Sequence, residues 1–97
     1  MNHGLPEKTV GILRRILADF PAVEKAVIYS SRAKGTFKPG SDIDLTLFGD
    51  GLNPDLLNEI AFRLEESATP YMVDLSIFAR LENANLREHI ERVGKVF

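Results

Sequence analysis

Asp42 and Asp44 stand one residue apart in "YSSRAKGTFKPGSDIDLTLFGD" (29–50), and a third acid, Asp74, sits inside the apolar run "YMVDLSIF" (71–78). Side chains alternate faces along an extended strand. Asp42, Asp44, Thr46 and Phe48 therefore share one face, and Ile43, Leu45 and Leu47 the other. In the later run Met72, Asp74, Ser76 and Phe78 oppose Val73, Leu75 and Ile77. With both apolar sets turned toward helices, three carboxylates project together from neighbouring strands. Carboxylates gathered this way repel one another unless a cation lies between them. Mg²⁺ suits the place, because it takes oxygen ligands and shares its shell with substrate phosphates; Mn²⁺ accepts the same oxygens. Two such ions about 3.5–4 Å apart stabilise the attacking and leaving oxygens of an in-line phosphoryl displacement. An Asp-x-Asp at a strand start is by itself more often turn chemistry. Asp74 tips the balance, since an acid between Val73 and Leu75 is costly unless paired or liganded.

The segment ahead of the acids supplies what a polyphosphate needs. Backbone N–H groups at Ser30 and Ser31, with the Ser31 hydroxyl, are placed to cradle phosphates, and a helical turn beginning there adds its dipole. Gly35 allows close backbone approach, Arg32, Lys34 and Lys38 offer neutralising charge, and Ser41 closes the segment against Asp42. Plainer readings exist: Ser31 as a helix N-cap, the cations as a solvated loop. Taken with the acids, the stretch reads as a cradle for a metal-bound nucleoside triphosphate. His3 and His89 have no metal-ligand companions and read as non-functional, while Tyr71 and Phe78 read as core or sheet-edge residues.

These side chains must be carried by a small set of elements. Val10, Leu13, Ile16, Leu17 and Phe20 recur at helical spacing, predicting a helix over 6–19 that Pro21 ends. "KAVIYS" (25–30) reads as a strand, 31–41 as a loop, and "DIDLTLF" (42–48) as a second strand. A helix over 54–67 follows, capped by Asn53 and burying Leu57, Ile60, Ala61 and Leu64. Residues 71–78 form the third strand. A last helix over 85–93 buries Leu86, Ile90 and Val93, with Gly94 as its C-terminal cap. The order is α-β-β-α-β-α. A helix between strands two and three implies a right-handed crossover and parallel pairing; strands one and two are expected antiparallel. The fold class is α+β (mixed α/β), with a mixed three- to four-stranded sheet covered by helices.

Ninety-seven residues, 44% hydrophobic and 27% charged, predict one globular domain over 1–97. A formal net charge of −2 argues against a protein that coats nucleic acid or anionic membranes. The cations at 32, 34 and 38 occur without an intervening acid, whereas residues 50–66 carry five acids against Arg63 alone. A local basic loop on an acidic chain suits a small anionic ligand. The absence of cysteine excludes thiol nucleophiles and zinc-thiolate sites. "MNHGLPEKTVG" has no basic start followed by an apolar run, and no stretch approaches the roughly 20 apolar residues of a membrane span. The cytoplasm is the expected location.

"SSRAKGTFKPGSDID", with a third acid in "VDL", resembles the DNA polymerase beta-like nucleotidyltransferase superfamily, marked by a Gly-Ser pair, a loop and Asp-x-Asp on the next strand. The short chain and the ending "NANLREHIERVGKVF" are similar to its smallest branch, the minimal nucleotidyltransferases. The resemblance implies Asp42 and Asp44 as metal ligands, Asp74 as third carboxylate (ligand or general base) and Ser31 as the phosphate-contacting serine. It also implies ATP as substrate and a helical HEPN-type toxin as partner, silenced by transfer of AMP to a tyrosine. Ser30 stands where the family has glycine. The alternative is an antitoxin with a decayed site that neutralises its partner by binding alone. "DIDLTL" also matches the signature of haloacid dehalogenase-type phosphatases, but there the acids end an apolar strand rather than begin one. Since the whole chain is used by the catalytic sheet and its cover, a partner or an oligomer is expected to supply the acceptor.

Overall fold

The structure is a computed structural model and describes residues 6–29, 42–67 and 71–97. Helix α1 (Glu7–Ala18) follows Pro6, whose extended backbone leads into the first turn. Strand β1 (Lys25–Ile28) precedes β2 (Ile43–Phe48), helix α2 (Pro54–Glu65) and β3 (Val73–Ile77). A 3₁₀ turn (Phe78–Arg80), helix α3 (Ala84–Val93) and a two-residue strand β4 (Lys95–Val96) complete the chain. Asn53 and Asn83 cap α2 and α3, their side-chain oxygens accepting from the N–H groups of Leu56 at 2.8 Å and Leu86 at 3.1 Å.

The sheet order is β3-β2-β1-β4. β2 and β3 are parallel, joined through α2, whereas β1 runs antiparallel to β2 and to β4. This is the mixed α+β sheet that the helix between strands two and three requires. On one face Ile43, Leu45 and Leu47 of β2 and Ile28 of β1 pack with Leu13, Ile16 and Leu17 of α1 and with Ile60 and Leu64 of α2. Ile28, Ile43, Leu45 and Leu47 are wholly inaccessible, so this layer is the main core.

Three features depart from the sequence reading. The tail is not a plain helix end: Lys95 and Val96 pair with Ile28 and Val27, and the Phe97 N–H donates to the Ala26 carbonyl at 2.8 Å. Gly94 does follow α3, but in extended backbone rather than a left-handed cap. Its lack of a side chain serves close approach, since a Cβ there would press on the Ile90 carbonyl oxygen and stand 2.6 Å from Val27 Cγ1. The third departure concerns the opposite sheet face, which is not left open. There α3 forms a second, smaller core in which Ile90 meets Val27, Tyr29 and Phe78, with Phe48 and Leu86 packed alongside.

Gly49 is the tightest backbone crossing. A Cβ would be driven into the Ala22 carbonyl oxygen, with the Ala22 carbonyl carbon at 3.1 Å and the Glu24 nitrogen at 3.4 Å. All three are backbone atoms, in a turn pinned by the Glu24 N–H donating to the Phe48 carbonyl at 2.8 Å and the Asp50 N–H to Glu24 Oε2 at 3.1 Å. Gly49→Ala is expected to cost about 1–3 kcal/mol, as forced overpacking does. A urea titration checks this, with a lower midpoint at unchanged slope. An unchanged midpoint would mean that the turn yields.

Candidate functional site

Strand register organises the face away from α1 and α2 into three successive rungs. Asp44 is paired with Asp74 across β2 and β3. Tyr29, one residue beyond β1, donates its N–H to the Asp44 carbonyl at 3.1 Å and so extends that rung. The next rung is Ser76–Thr46–Val27, and the last is Phe78–Phe48–Lys25. One face therefore runs from carboxylates and a phenol, through two hydroxyls, to stacked aromatics.

The aromatic rung anchors α3. Phe48 and Phe78 stack with centroids 4.6 Å apart, Lys25 Nζ lies 4.3 Å from the Phe48 centroid, and Arg87 Cζ 4.4 Å from that of Phe78. Arg87 Nη1 also donates to the carbonyls of Phe78 at 2.8 Å and Leu81 at 3.1 Å, tying α3 to the 3₁₀ turn. This covering stops short of the acids: Asp42 and Asp74 are exposed and Asp44 is half-buried.

Among the described residues no group of three or more acids or histidines stands close enough to hold a metal ion. Asp42 lies just ahead of β2, while Asp44 and Asp74 face each other in register. Two carboxylates fit a Mg²⁺ or Mn²⁺ ion, because such ions are usually held by one or two carboxylates, with substrate phosphates and water completing the shell. Ser30, Ser31, Arg32, Lys34, Gly35, Lys38 and Ser41 lie outside the described residues. In the chain they fall between Tyr29, on the carboxylate rung, and Asp42, two residues ahead of Asp44.

Tyr29, Thr46, Ser76 and His89 belong to this region and are not singled out by sequence reasoning as functional. Thr46 Oγ1 and Ser76 Oγ are buried without a well-formed hydrogen bond among the described residues. An orphaned hydroxyl of this kind costs about 1–3 kcal/mol. His89, on α3, meets the Tyr29 ring edge-on, with centroids 6.4 Å apart at 79°. Phase with Asp74 points to Ser76 from the sequence alone. Tyr29 gives no such signal, because its position depends on the register of β1.

Burial pushes the Tyr29 phenol above its ordinary value of 10.0; Ser76 beside it opposes the rise, and the charges of Asp44 and Asp74 add to it. Ser76 is thus near enough to act on the phenol. The unfolded chain releases this proton at the ordinary value, whereas the folded chain holds it longer. The resulting stabilisation is complete below pH 10.0 and is lost as pH rises through the higher folded value. In a Tyr71→Phe background, the midpoint of phenolate absorbance should therefore lie above pH 10.0, with folding stability falling as pH rises from 10.0 through it. Titration at the ordinary value would refute the burial of the hydroxyl.

Among the described residues a cavity of about 500 Å³ lies between α2 and the start of β3, lined by residues that include Phe62, Tyr71 and Met72 but none of the three acids. It sits beside the catalytic candidates rather than over them. Among the described residues no helix is long and apolar enough to cross a membrane.

The described part of the site is thus a register pair of acids on one face of a mixed four-stranded sheet. The polymerase beta, nucleotidyltransferase family matches residues 12–97, and the chain belongs to that family. Comparison with curated proteins returns no match. Among solved structures, a chain of a toxin–antitoxin complex with AMP-PNP is 26% identical, with a TM-score of 0.72 over 95% of this chain and 72% of that one. A chain of the toxin–antitoxin MntA-HepT complex is 20% identical, with a TM-score of 0.69 over 94% and 70%. A chain of the complex of tri-AMPylated Shewanella oneidensis HEPN toxin with MNT antitoxin is 22% identical, with a TM-score of 0.61 over 92% and 65%. The last two likenesses concern the fold alone.

Proposed function

We propose that this chain is the antitoxin of a HEPN/MNT pair and transfers AMP from ATP to a tyrosine hydroxyl of its HEPN-type partner. The observation that carries the reading is the in-register pair Asp44–Asp74, the first half-buried and the second exposed, in a chain of the nucleotidyltransferase family. The AMP-PNP complex of a 26% identical chain supports a nucleotide at this site.

In the reaction the acceptor oxygen attacks the α-phosphorus, the bond to the β-phosphate oxygen breaks, and pyrophosphate leaves. Asp44 and Asp74 would hold the Mg²⁺ or Mn²⁺ ion, which when bound neutralises charge developing on the phosphates, and Asp42, on the approach to β2, would add negative charge beside them. Asp74, exposed on the edge strand β3, is the group assigned to take the acceptor's proton. Ser30, Ser31 and Ser41 offer phosphate donors, Gly35 a close backbone, and Arg32, Lys34 and Lys38 the countercharge. The partner supplies the acceptor, whether to a single copy or to a homo-oligomer. The reading keeps the cytoplasm as the expected location and includes neither membrane contact nor direct nucleic-acid binding.

Ser30, which replaces the family's glycine, favours a second reading in which the chain silences its partner by contact alone. The two readings separate in one experiment. The chain is mixed with a co-expressed HEPN-type partner, ATP and Mg²⁺, and the partner's intact mass is measured. A gain of AMP, abolished by EDTA and by Asp42→Ala/Asp44→Ala, is the expected outcome. A stable complex without mass change would establish the binding-only reading.

A further inference from the structure

Three features of the acid-bearing face are left without a role by the reaction just described: the phenol of Tyr29 and the hydroxyls of Ser76 and Thr46. Tyr29 is fixed from several sides. Its N–H is bonded to the Asp44 carbonyl at 3.1 Å, its ring packs in the cluster with Val27, Phe78 and Ile90, and His89 closes on its edge at 6.4 Å. Only 7% of the residue is accessible, so the ring cannot swing into solvent. Register places it in the same rung as Asp44 and Asp74, and Ser76 faces it from the next rung.

Apolar residues would fill this layer at no cost in unpaired hydroxyls. Phenylalanine would occupy the Tyr29 ring site, valine the Thr46 site and alanine the Ser76 site. Three hydroxyls stand there instead, two of them buried without a well-formed partner among the described residues. Opposed carboxylates also have a geometric need. Like charges directly across a strand pair drive each other toward solvent. A fixed phenol in the same rung presents a neutral dipole to both charges and so biases which way their oxygens turn. Groups that orient a metal-binding carboxylate in this manner typically change metal affinity or activity by about 10–100-fold when removed.

We propose that Tyr29, steered by Ser76, is a positioning residue for the Asp44–Asp74 pair, and that its hydroxyl sets the carboxylates in the orientation that accepts a metal-bound nucleotide. The inference rests on the proposed nucleotide site and extends it to a residue that makes no contact with substrate. Tyr29→Phe keeps the ring, its packing and the backbone bond, and removes only the hydroxyl.

The test is calorimetric titration of the intact chain with a non-hydrolysable ATP analogue and Mn²⁺, repeated in EDTA, for wild type, Tyr29→Phe, Ser76→Ala and the double variant. Thermal melting without metal is measured in parallel. Tyr29→Phe should weaken metal-dependent binding about tenfold or more, while the metal-free melting temperature holds or rises. Ser76→Ala should weaken binding less, and the double variant no more than Tyr29→Phe alone, because Ser76 acts through the phenol. A purely structural phenol would move the melting temperature and leave affinity alone. Binding by Tyr29→Phe within about twofold of wild type would overturn the inference while leaving the nucleotide site standing. Absence of metal-dependent binding in the wild-type chain would overturn both together.

Discussion

Asp44→Asn is expected to abolish the proposed metal-dependent ATP binding and to leave the fold intact. The substitution keeps the side chain's size and removes one of the two charges that face each other across β2 and β3. Loss of a carboxylate that only orients a metal ligand costs about 10–100-fold in affinity, so loss of a ligand itself should cost at least about 100-fold. Stability should move the other way. Like charges directly opposite in a sheet are destabilising by up to about 1 kcal/mol, so relieving the pair leaves the metal-free chain as stable as before or slightly more so. Calorimetry with ATP and Mg²⁺ and thermal melting in EDTA together read both effects. Retained binding would remove Asp44 from the site. Lost binding with a collapsed melting temperature would make Asp44 a structural residue.

Leu45→Ala is the corresponding test of the other face. Leu45 is wholly inaccessible in the middle of β2, packed with residues of α1 and α2. Truncating a leucine in such a site typically costs about 2–5 kcal/mol, because the methyl groups are lost and the cavity closes only partly. Its neighbour Thr46 is equally buried but on the opposite face, with Oγ1 unpaired among the described residues. Thr46→Val replaces that hydroxyl by a methyl of similar shape and should stabilise by about 1 kcal/mol. Urea unfolding of the two variants therefore gives shifts of opposite sign. A costly Thr46→Val would show that the hydroxyl is satisfied in solution.

The two experiments also bear on why the acid-bearing face is built as it is. Its aromatic end is closed by α3 and by the Lys25–Phe48–Phe78–Arg87 row, its carboxylate end is open, and two buried hydroxyls lie between. The carboxylates of Asp44 and Asp74 lie at the open end of the face, away from the aromatic row. Such an arrangement lets a small chain keep repelling charges on a sheet whose other side carries most of its core.

Much of this was determined by the amino-acid sequence alone. Period-two alternation in "DIDLTLF" and "YMVDLSIF" fixed which side chains share a face, and the helix between them required parallel pairing, so Asp44 and Asp74 had to emerge on one side. The helical stripe from Val10 to Phe20 and the Asn53 cap were equally legible, because both are local. What tertiary structure decided is whatever depended on distant partners. Tyr29 reaches the carboxylate rung only through the antiparallel register of β1, and a long connection, unlike a two-residue hairpin turn, does not encode register. Lys95 and Val96 become a strand because β1 offers an edge, since two residues carry no periodicity of their own. The apolar stripe of α3 fits either face of the sheet. Tertiary packing sends it to the acid-bearing face, because α1 and α2 already cover the other and Val27, Phe48 and Phe78 leave apolar surface there to bury.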